Sequence, residues 1–175
     1  NGCEDRGIGL LTMIRETSTT ILSAHVTNTN PTSGNRRRGW RSSVNFVGGL
    51  AGISNRMIVL PNHYHVLIRL SDIKETITLL GMLHGSTSFR WNAEETARGR
   101  KEWHSVSDRG MRNGDHFWAT LNYIHHNPVK HGYVDRWTDW PFSSAGDYLE
   151  EVGREQAVDI WKSFPLYDYG KGWDD

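Results

Sequence analysis

The chain has 175 residues, of which 37% are hydrophobic and 23% charged, and its 20 basic side chains balance 20 acidic ones. These values are typical of one globular domain with a sizeable core and exclude a disordered or collagen-like chain. The single cysteine, Cys3, excludes an intrachain disulfide and a cysteine-based zinc site, as is usual in a reducing compartment. No apolar run approaches the ~18 residues of a membrane span, and the N-terminus lacks a signal-peptide pattern. We therefore expect a cytoplasmic protein without a membrane partner.

The zero net charge argues against a protein that binds nucleic acid through bulk charge alone. The charge is unevenly distributed, because residues 147–175 contain eight acidic and three basic side chains, whereas residues 1–60 contain seven arginines and three acids. The chain before residue 147 is therefore modestly basic, and nucleic acid is a compatible partner.

The first part of the chain predicts mostly strand and loop. A strand is expected within residues 17–28, which are β-branched and partly alternating, and residues 27–43 are loop by composition. Residues 56–60 and 63–70 predict two strands that are joined by a turn at Pro61-Asn62.

A helix and a hairpin are predicted next. Asp72 and Glu75 form a capping box, and the apolar residues that follow recur at helical spacing until about Gly85, where this helix is expected to end. Residues 86–101 are a polar connector, and residues 101–113 predict a short hairpin.

A second helix is predicted from a cap at Asp115 through residues 116–126. Asn127 and Pro128 fit an N-cap and the first position of a short helical turn, which Gly132 closes.

A last helix is predicted to begin after Ser143 or Ser144 and to end near Trp161. Strands interleaved with helices predict an α+β fold, in which helices pack against one antiparallel sheet.

Two histidines interrupt the apolar run of residues 60–70. On a strand, side chains at i and i+2 point to the same face, so His63 and His65 are expected to project together while Tyr64 faces away. Two neutral imidazoles on one face suit a divalent metal, and a pair of hydrogen-bonded structural histidines is the alternative interpretation.

The helix over residues 116–126 offers candidates for the rest of such a site. Tyr123 and Asn127 are four residues apart and share a helix face, and imidazole with amide oxygen suits Mg²⁺ or Mn²⁺. Tyr123 is a candidate nucleophile beside the metal, and His126 is a candidate to support the site from behind the metal ligands. The alternatives are that Tyr123 is a core or rim aromatic and Asn127 only a helix cap.

Two blocks of the sequence together resemble the REP-associated tyrosine transposases, in the single-tyrosine HUH transposase superfamily. The first is LPNHYHVLI, in which His63-Tyr64-His65 is similar to the family's motif of His, a hydrophobic residue and His. The second, LNYIHHNPVKHGYVDRWTDWPFSSAGDYL, matches the family's YI-x-x-NPVK-x-G-x-V pattern from Tyr123 to Val134 and contains a typical DWPFSS. The order and approximate separation of the blocks are those of the family, and the likeness covers about residues 56–150.

This resemblance implies a metal site, a nucleophile and a substrate. His63 and His65 would bind a divalent metal, Asn127 would be a third, polar ligand, and Tyr123 would be the nucleophile. Enzymes of the family cut single-stranded DNA near palindromic hairpins, forming a 5′-phosphotyrosine link and releasing a 3′-hydroxyl. The implied fold is a ferredoxin-like antiparallel sheet with helices packed on it, the implied partner is single-stranded or hairpin DNA, and the implied location is the bacterial cytoplasm.

Side-chain chemistry suggests candidates for contacts with DNA. Arg90, Arg109, Arg112 and Lys130 are candidates for phosphate contacts, and Trp91 is a candidate for stacking on a base.

The resemblance divides the chain into three parts. Residues 56–150 form the transposase core, residues 1–55 match the family poorly, and residues 151–175 form an acidic C-terminal tail. Whether residues 1–55 contribute to the sheet is left open.

Two alternatives to an active transposase remain at this point. One is a degenerate, catalytically inactive relative that binds hairpin DNA. The other is a metalloenzyme of the cupin type, which also uses a His-x-His strand but adds a nearby glutamate within a barrel.

Overall fold

The structure is a computed structural model and describes residues 19–25, 48–50, 54, 56–69, 73–94 and 96–173. Its strands are β1 (Thr19–His25), β2 (Met57–Val59), β3 (His63–Arg69) and β4 (Ser107–Gly110). Its helices are α1 (Ile73–Glu94), α2 (Gly114–Lys130), α3 (Ala145–Val152) and α4 (Arg154–Ser163), with a short 3-10 helix at Trp137–Asp139. Residues 48–50 are also helical. The predicted cap residue Asp72 lies outside the described residues.

The four strands form one sheet in the order β2-β3-β1-β4, and every neighbouring pair is antiparallel. This order confirms the predicted α+β fold with a ferredoxin-like sheet. The strand expected within residues 17–28 is β1, which is an inner strand because it pairs with both β3 and β4. The predicted turn at Pro61-Asn62 joins β2 to β3, and the Leu60 N–H donates to the His63 carbonyl at 2.8 Å.

The two faces of the sheet pack against different helices. The face that carries His63 and His65, which we call the histidine face, packs against α2 through Leu67 and Leu121. The opposite face carries Tyr64 and packs against α1 and the loop before β4. This open four-stranded sheet is not a barrel, so the cupin alternative is wrong.

The helix α1 extends to Glu94, so the prediction that it ends near Gly85 and gives way to a polar connector is wrong. Thr87 is buried and holds the second half of the helix, because its hydroxyl donates to the Leu83 carbonyl at 2.9 Å and accepts from Trp103 Nε1 at 3.0 Å. Gly85 lies inside α1 and does not terminate it. The tertiary contact with Trp103 therefore outweighs the local propensity.

The hairpin predicted over residues 101–113 is also wrong, because the only strand there, β4, pairs with β1. The Met111 N–H donates to the Thr19 carbonyl at 2.7 Å and extends this pairing by one bond. Without β4, the backbone N–H and C=O groups along one edge of β1 would have no strand partner. A local hairpin over residues 101–113 would leave them unpaired.

The helix α2 begins and ends differently from the prediction. Its N-cap is Asn113, not Asp115, because the Asn113 side chain accepts from the His116 N–H at 2.8 Å. The helix continues through Asn127 and Pro128, so Asn127 is not an N-cap. Proline removes only its own N–H bond, and the neighbouring bonds of the last turn are made, including His131 N–H to the Asn127 carbonyl at 3.0 Å.

The last predicted helix is two helices, α3 and α4, separated at Gly153, whose φ of 81° is left-handed. Ser144 precedes α3, but its hydroxyl makes no cap bond and instead contacts the β2 backbone. It accepts from the Met57 N–H at 3.0 Å and donates to the Met57 carbonyl at 3.2 Å. None of the helices in the described ranges is both long and apolar enough to cross a membrane.

His125 connects α2 to the contact between Ser144 and β2. Its Nε2 lies 3.1 Å from Ser144 Oγ, and its ring stacks near Trp137 and Tyr148 at centroid distances of 5.7 and 5.0 Å. Burial, helped by the positive charge of Arg56, lowers the pKa of His125 to about 3. The folded protein therefore keeps this imidazole neutral at every pH above that value.

We predict that acid destabilises the fold partly through His125. The unfolded chain takes up a proton near pH 6.5 and the folded chain does not, so this contribution to stability is complete above pH 6.5 and is lost as the pH falls toward 3. Between pH 7 and pH 5 the loss in the free energy of unfolding is expected to be about 2 kcal/mol. Urea denaturation at both pH values measures it.

The matched variant is His125→Gln, whose amide can still donate to Ser144. We expect a smaller difference between pH 7 and pH 5 in this variant, with a residual difference from His84, whose pKa burial lowers to about 4. Equal pH dependence in the two proteins would contradict the assignment.

Candidate active site

The two histidines of β3 lie side by side under α2. His63 and His65 are 1% and 0% exposed, and their ring centroids are 5.1 Å apart. His63 Nδ1 is 2.9 Å from Asn62 Oδ1, and His65 Nδ1 is 2.7 Å from Ser23 Oγ. Each ring is therefore oriented through Nδ1, which is the arrangement that presents Nε2 to a ligand.

The helix α2 brings Tyr123 and Asn127 to these histidines. The Tyr123 ring centroid is 5.4 Å from that of His65, and the ring of His131, at the end of the helix, is 5.3 Å from that of His63. Asn127 is one helical turn from each of these two residues and lies on the same side of α2. Asn127 therefore belongs to the face of α2 whose flanking residues contact the histidine pair.

Asn127 has the environment of a ligand. It is 0% exposed, and neither Oδ1 nor Nδ2 has a hydrogen-bond partner within the described residues. Leaving such a group without a partner costs about 1–3 kcal/mol, so a fold that keeps it there gains something in return. An amide oxygen beside two imidazole nitrogens fits a hard or borderline divalent cation such as Mg²⁺ or Mn²⁺. Across the described ranges, no group of three or more His, Cys, Asp or Glu side chains is placed to hold a metal ion.

Two further histidines surround the pair and were not singled out from the sequence. His25 is the cross-strand partner of His63 on β1, and the two ring centroids are 5.0 Å apart. His131 contacts His63 from the opposite side. Only the strand register and the helix packing bring them there, and the sequence contains no spacing that would have identified them.

His126, which was expected to support the site from behind the metal ligands, faces α4 instead. Its ring packs against Trp161 of α4 at a centroid distance of 5.2 Å, and burial lowers its pKa. The structure does not bring it beside His63 or His65.

The nominated DNA contacts separate into two groups. Lys130 Nζ is 5.2 Å from the Tyr123 ring, the Arg109 guanidinium lies on the same side of the sheet as Ile21 and His65, and Arg112 is exposed nearby. Arg90 and Trp91 instead belong to α1, on the opposite face of the sheet, where Trp91 stacks on Trp103 at 5.5 Å. Three of the five candidates are therefore near Tyr123 and two are not.

The C-terminal residues 166–173, which we call the covering segment, lie on top of Tyr123. This tyrosine is only 1% exposed, and its ring is 6.1 Å from that of Tyr169 and 5.1 Å from that of Trp173. At Gly170, whose φ is 75°, a Cβ would lie 2.1 Å from Tyr123 Cε2. Glycine is therefore required here both by the backbone conformation and by the space above the ring.

Polar contacts to α2 and β4 help to hold the covering segment. The Tyr169 hydroxyl hydrogen bonds to Thr120 Oγ1 of α2, and the Arg109 guanidinium lies 4.1 Å above the Trp173 ring. Burial raises the pKa of Tyr169, so its phenol remains a donor at neutral pH. Part of the chain predicted as an acidic tail thus packs against the candidate site.

We predict that Gly170→Ala loosens the covering segment. The new methyl group cannot share the space of the Tyr123 ring, so hydrogen exchange of residues 166–173 is expected to become faster. Gly153→Ala is the matched control, because Gly153 also has a left-handed φ but no atom within 4 Å of its Cβ position. Gly153→Ala therefore shows the free-energy cost of a side chain at positive φ alone, about 1–2 kcal/mol, without a steric clash. Unchanged exchange in Gly170→Ala would contradict the packing described here.

The chain matches no family model but is similar to two curated proteins. It is 31% identical over 119 residues to a Haemophilus influenzae protein whose name places it among the REP-associated tyrosine transposases. It is 31% identical over 96 residues to the REP-associated tyrosine transposase of Escherichia coli. The matches cover 61% and 51% of this chain, and the chain spans only 65% and 52% of the two relatives.

A solved structure shares the fold. It is described as a REP-associated tyrosine transposase bound to a REP hairpin, and it superposes with a TM-score of 0.52 over 77% of this chain and 80% of that one, at 19% identity. This level of identity supports a common fold. Together with the two sequence matches, it confirms the predicted resemblance of the chain to the REP-associated tyrosine transposases.

Proposed function

We propose that the protein is a metal-dependent, single-strand-specific DNA transposase that nicks DNA beside hairpins through a phosphotyrosine intermediate. The observation that carries this proposal is the position of Tyr123, whose ring lies against His65, while the buried amide of Asn127, one helical turn away, has no hydrogen-bond partner within the described residues. The relatives carry the name of this enzyme class, and the solved neighbour is described as bound to a REP hairpin.

The proposed reaction is a transesterification at phosphorus. Tyr123 Oη attacks the scissile phosphate, the bond from phosphorus to the 3′ oxygen breaks, and the phenolic proton passes to that oxygen. The products are a 5′-phosphate bound to Tyr123 and a free 3′-hydroxyl. A later attack by a 3′-hydroxyl on the phosphotyrosine reverses the same bond changes, so no external energy source is needed.

His63, His65 and Asn127 would hold the metal. When bound there, a divalent cation would polarise a non-bridging oxygen of the scissile phosphate and make the phosphorus more electrophilic. Ser23 and Asn62 orient the two imidazoles through Nδ1, which fixes the direction of both Nε2 atoms. Lys130, at 5.2 Å from the Tyr123 ring, is placed to stabilise negative charge on the phenolic oxygen or the phosphate.

Access to Tyr123 requires a movement of the covering segment. A residue that is 1% exposed cannot contact a phosphodiester, and Tyr169, Gly170 and Trp173 lie directly on its ring. The polar contacts of the segment include a hydrogen bond and a cation–π contact at a surface guanidinium, each worth about 1 kcal/mol, and Leu166, Tyr169 and Trp173 also pack against the core. DNA that displaces residues 166–173 would have to replace these contacts.

The same occlusion favours a second candidate function, a relative that binds hairpin DNA without cutting it. If the covering segment remains on Tyr123 when DNA binds, Arg109 and Arg112 can still contact phosphates, but Tyr123 stays inaccessible to the DNA. A covalent-adduct assay separates the two functions.

We predict that Tyr123→Phe abolishes adduct formation. Purified protein mixed with labelled hairpin DNA from its genomic flanks, in Mn²⁺, is expected to form a denaturant-resistant complex that maps to Tyr123. Removing one hydroxyl should reduce its rate by at least about a thousandfold, while hairpin affinity measured by anisotropy changes less than about twofold.

Tyr169→Phe is the matched control, because its hydroxyl is also near the site but has no chemical role in the proposal. This variant should form the adduct at least as fast as the wild type, since it loses the bond to Thr120 that helps hold the covering segment. Adduct formation by Tyr123→Phe would overturn the nucleophile assignment. Binding without any adduct in the wild type would select the non-cutting relative.

We also predict that Asn127→Leu removes metal binding without destabilising the metal-free protein. Leucine fills a similar volume and leaves no amide without a hydrogen-bond partner, so the free energy of unfolding in chelator should not fall. In the wild type, Mn²⁺ at a hundred times its dissociation constant should add about 2.7 kcal/mol. This increment should disappear in the variant.

Asn122→Leu is the control on the same helix. Its side chain donates to the Phe164 carbonyl at 3.0 Å, so its loss should destabilise the protein by about 1–3 kcal/mol and leave the increment from Mn²⁺ intact. An undiminished metal increment in Asn127→Leu would exclude this residue as a ligand.

A further inference from the structure

The side of α1 that points away from the sheet is apolar. Four large hydrophobic side chains of this helix are exposed, among them Met82 at 67% and Phe89 at 79%. Leu79 lies three residues before Met82 and Phe89 lies seven residues after it, so these three side chains share one side of the helix. The side that packs on the sheet is a different one, with the buried residues Thr76, Leu80 and Thr87. A helix that is hydrophobic on both sides is normally covered on both.

We propose that two copies of the chain associate through this side of α1, with the two helices packed antiparallel about a two-fold axis. We call it the outer face of α1, and it is formed by Leu79, Met82, Phe89 and the small side chains between them. The helix packs on the face of the sheet that carries Tyr64, opposite to His63. The two candidate active sites would therefore lie on the outer sides of the dimer, and the interface does not depend on the proposed function.

The absence of charge on the outer face favours an apolar partner. Residues 76–89 contain no Asp, Glu, Lys or Arg over about four turns of helix. Nucleic acid is bound through cations that pair with its phosphates, and a membrane surface is bound by helices with many Lys and Arg on their polar side. The only such residues of α1 are Lys74 and Arg90. The apolar surface of another protein molecule is therefore the occupant that fits.

Two exposed charges at the ends of the outer face make it complementary to itself. Glu75 lies one turn before Leu79, and Arg90 lies about three turns after Leu79, so both charges are on the same side of the helix. A two-fold axis beside Met82 brings Glu75 of each copy opposite Arg90 of the other. A parallel pair would instead place like charges together. The signs of the charges therefore select an antiparallel pair of identical helices.

The hydroxyl groups of the outer face are already hydrogen bonded within α1. The Thr78 hydroxyl donates to the Lys74 carbonyl at 3.0 Å, and the Ser86 hydroxyl donates to the Leu83 carbonyl at 3.0 Å. A partner can therefore cover these groups without leaving a donor unsatisfied. At Gly85, no atom of the described ranges lies within 4 Å of the position of a Cβ, so the backbone of a second helix can approach closely.

The test is sedimentation velocity of the full chain over a concentration series from about 1 to 200 μM. One helix from each copy makes a small interface, so we expect a dissociation constant in the micromolar range, within this series. Phe89→Lys should weaken association at least about a hundredfold, because it places an ammonium group within the contact. Val158→Lys is the matched control, since Val158 is an exposed apolar residue of α4, at 42%, and the same substitution there should leave the dissociation constant unchanged.

A charge exchange tests the antiparallel arrangement. Glu75→Arg and Arg90→Glu should each weaken association about tenfold, because each change turns two attractive pairs of the dimer into two repulsive ones. The double variant restores both pairs with their signs exchanged, so its dissociation constant should return to within about threefold of the wild-type value. Thermal unfolding midpoints check that all variants remain folded.

Three results would overturn the proposal. The first is a wild type that remains monomeric over the whole concentration series. The second is a dimer that Phe89→Lys does not weaken, because the contact would then lie elsewhere. The third is a double charge variant that associates no better than the single ones. These measurements use neither DNA nor metal, so the failure of the nuclease proposal and the failure of this interface are independent results.

Discussion

The packing of α2 across the histidine face of the sheet is the constraint on which the candidate site depends. This one contact places Tyr123 at His65 and His131 at His63, and it leaves Asn127 between them. The apolar residues around it, from Ile21 and Leu67 on the sheet to Leu121 on the helix, supply the burial energy that holds the polar groups together. A site built in this way is rigid, because moving any ligand requires opening the core.

Burial of polar side chains at the candidate site costs free energy of folding. Two imidazoles, an amide and a phenol are buried at 1% exposure or less, and the amide of Asn127 has no hydrogen-bond partner in the described part of the chain. At the contact between α2 and β2, by contrast, the Ser144 hydroxyl hydrogen bonds to the Met57 backbone and lies 3.1 Å from His125 Nε2. This contrast supports the proposal that the first cluster binds a ligand and that the contact of Ser144 is structural.

The C-terminal part of the chain has a larger role than its acidic composition indicates. The helix α4 and residues 166–173 enclose Tyr123 from the side opposite to the sheet, so the sheet orients the candidate nucleophile and the C-terminal segment controls its exposure. Contacts at Arg109 and Thr120 link that segment to β4 and α2. Substrate access can therefore depend on residues outside the two sequence motifs.

The sequence by itself determined the local geometry of the site: the period of two on β3 pairs His63 with His65, and the four-residue spacing on α2 aligns Tyr123 with Asn127. It also determined the mixed fold and the turn at Pro61. Local signals were misleading where distant contacts outweigh them, since Trp103 holds α1 in helix beyond Gly85, and Asn127 looks like a cap because its proline neighbour favours one. Only the tertiary structure decided that His25 and His131 surround the pair and that Tyr123 is covered. The reason is that strand register and helix packing bring together residues more than 30 positions apart in the sequence. No short-range sequence pattern encodes such contacts.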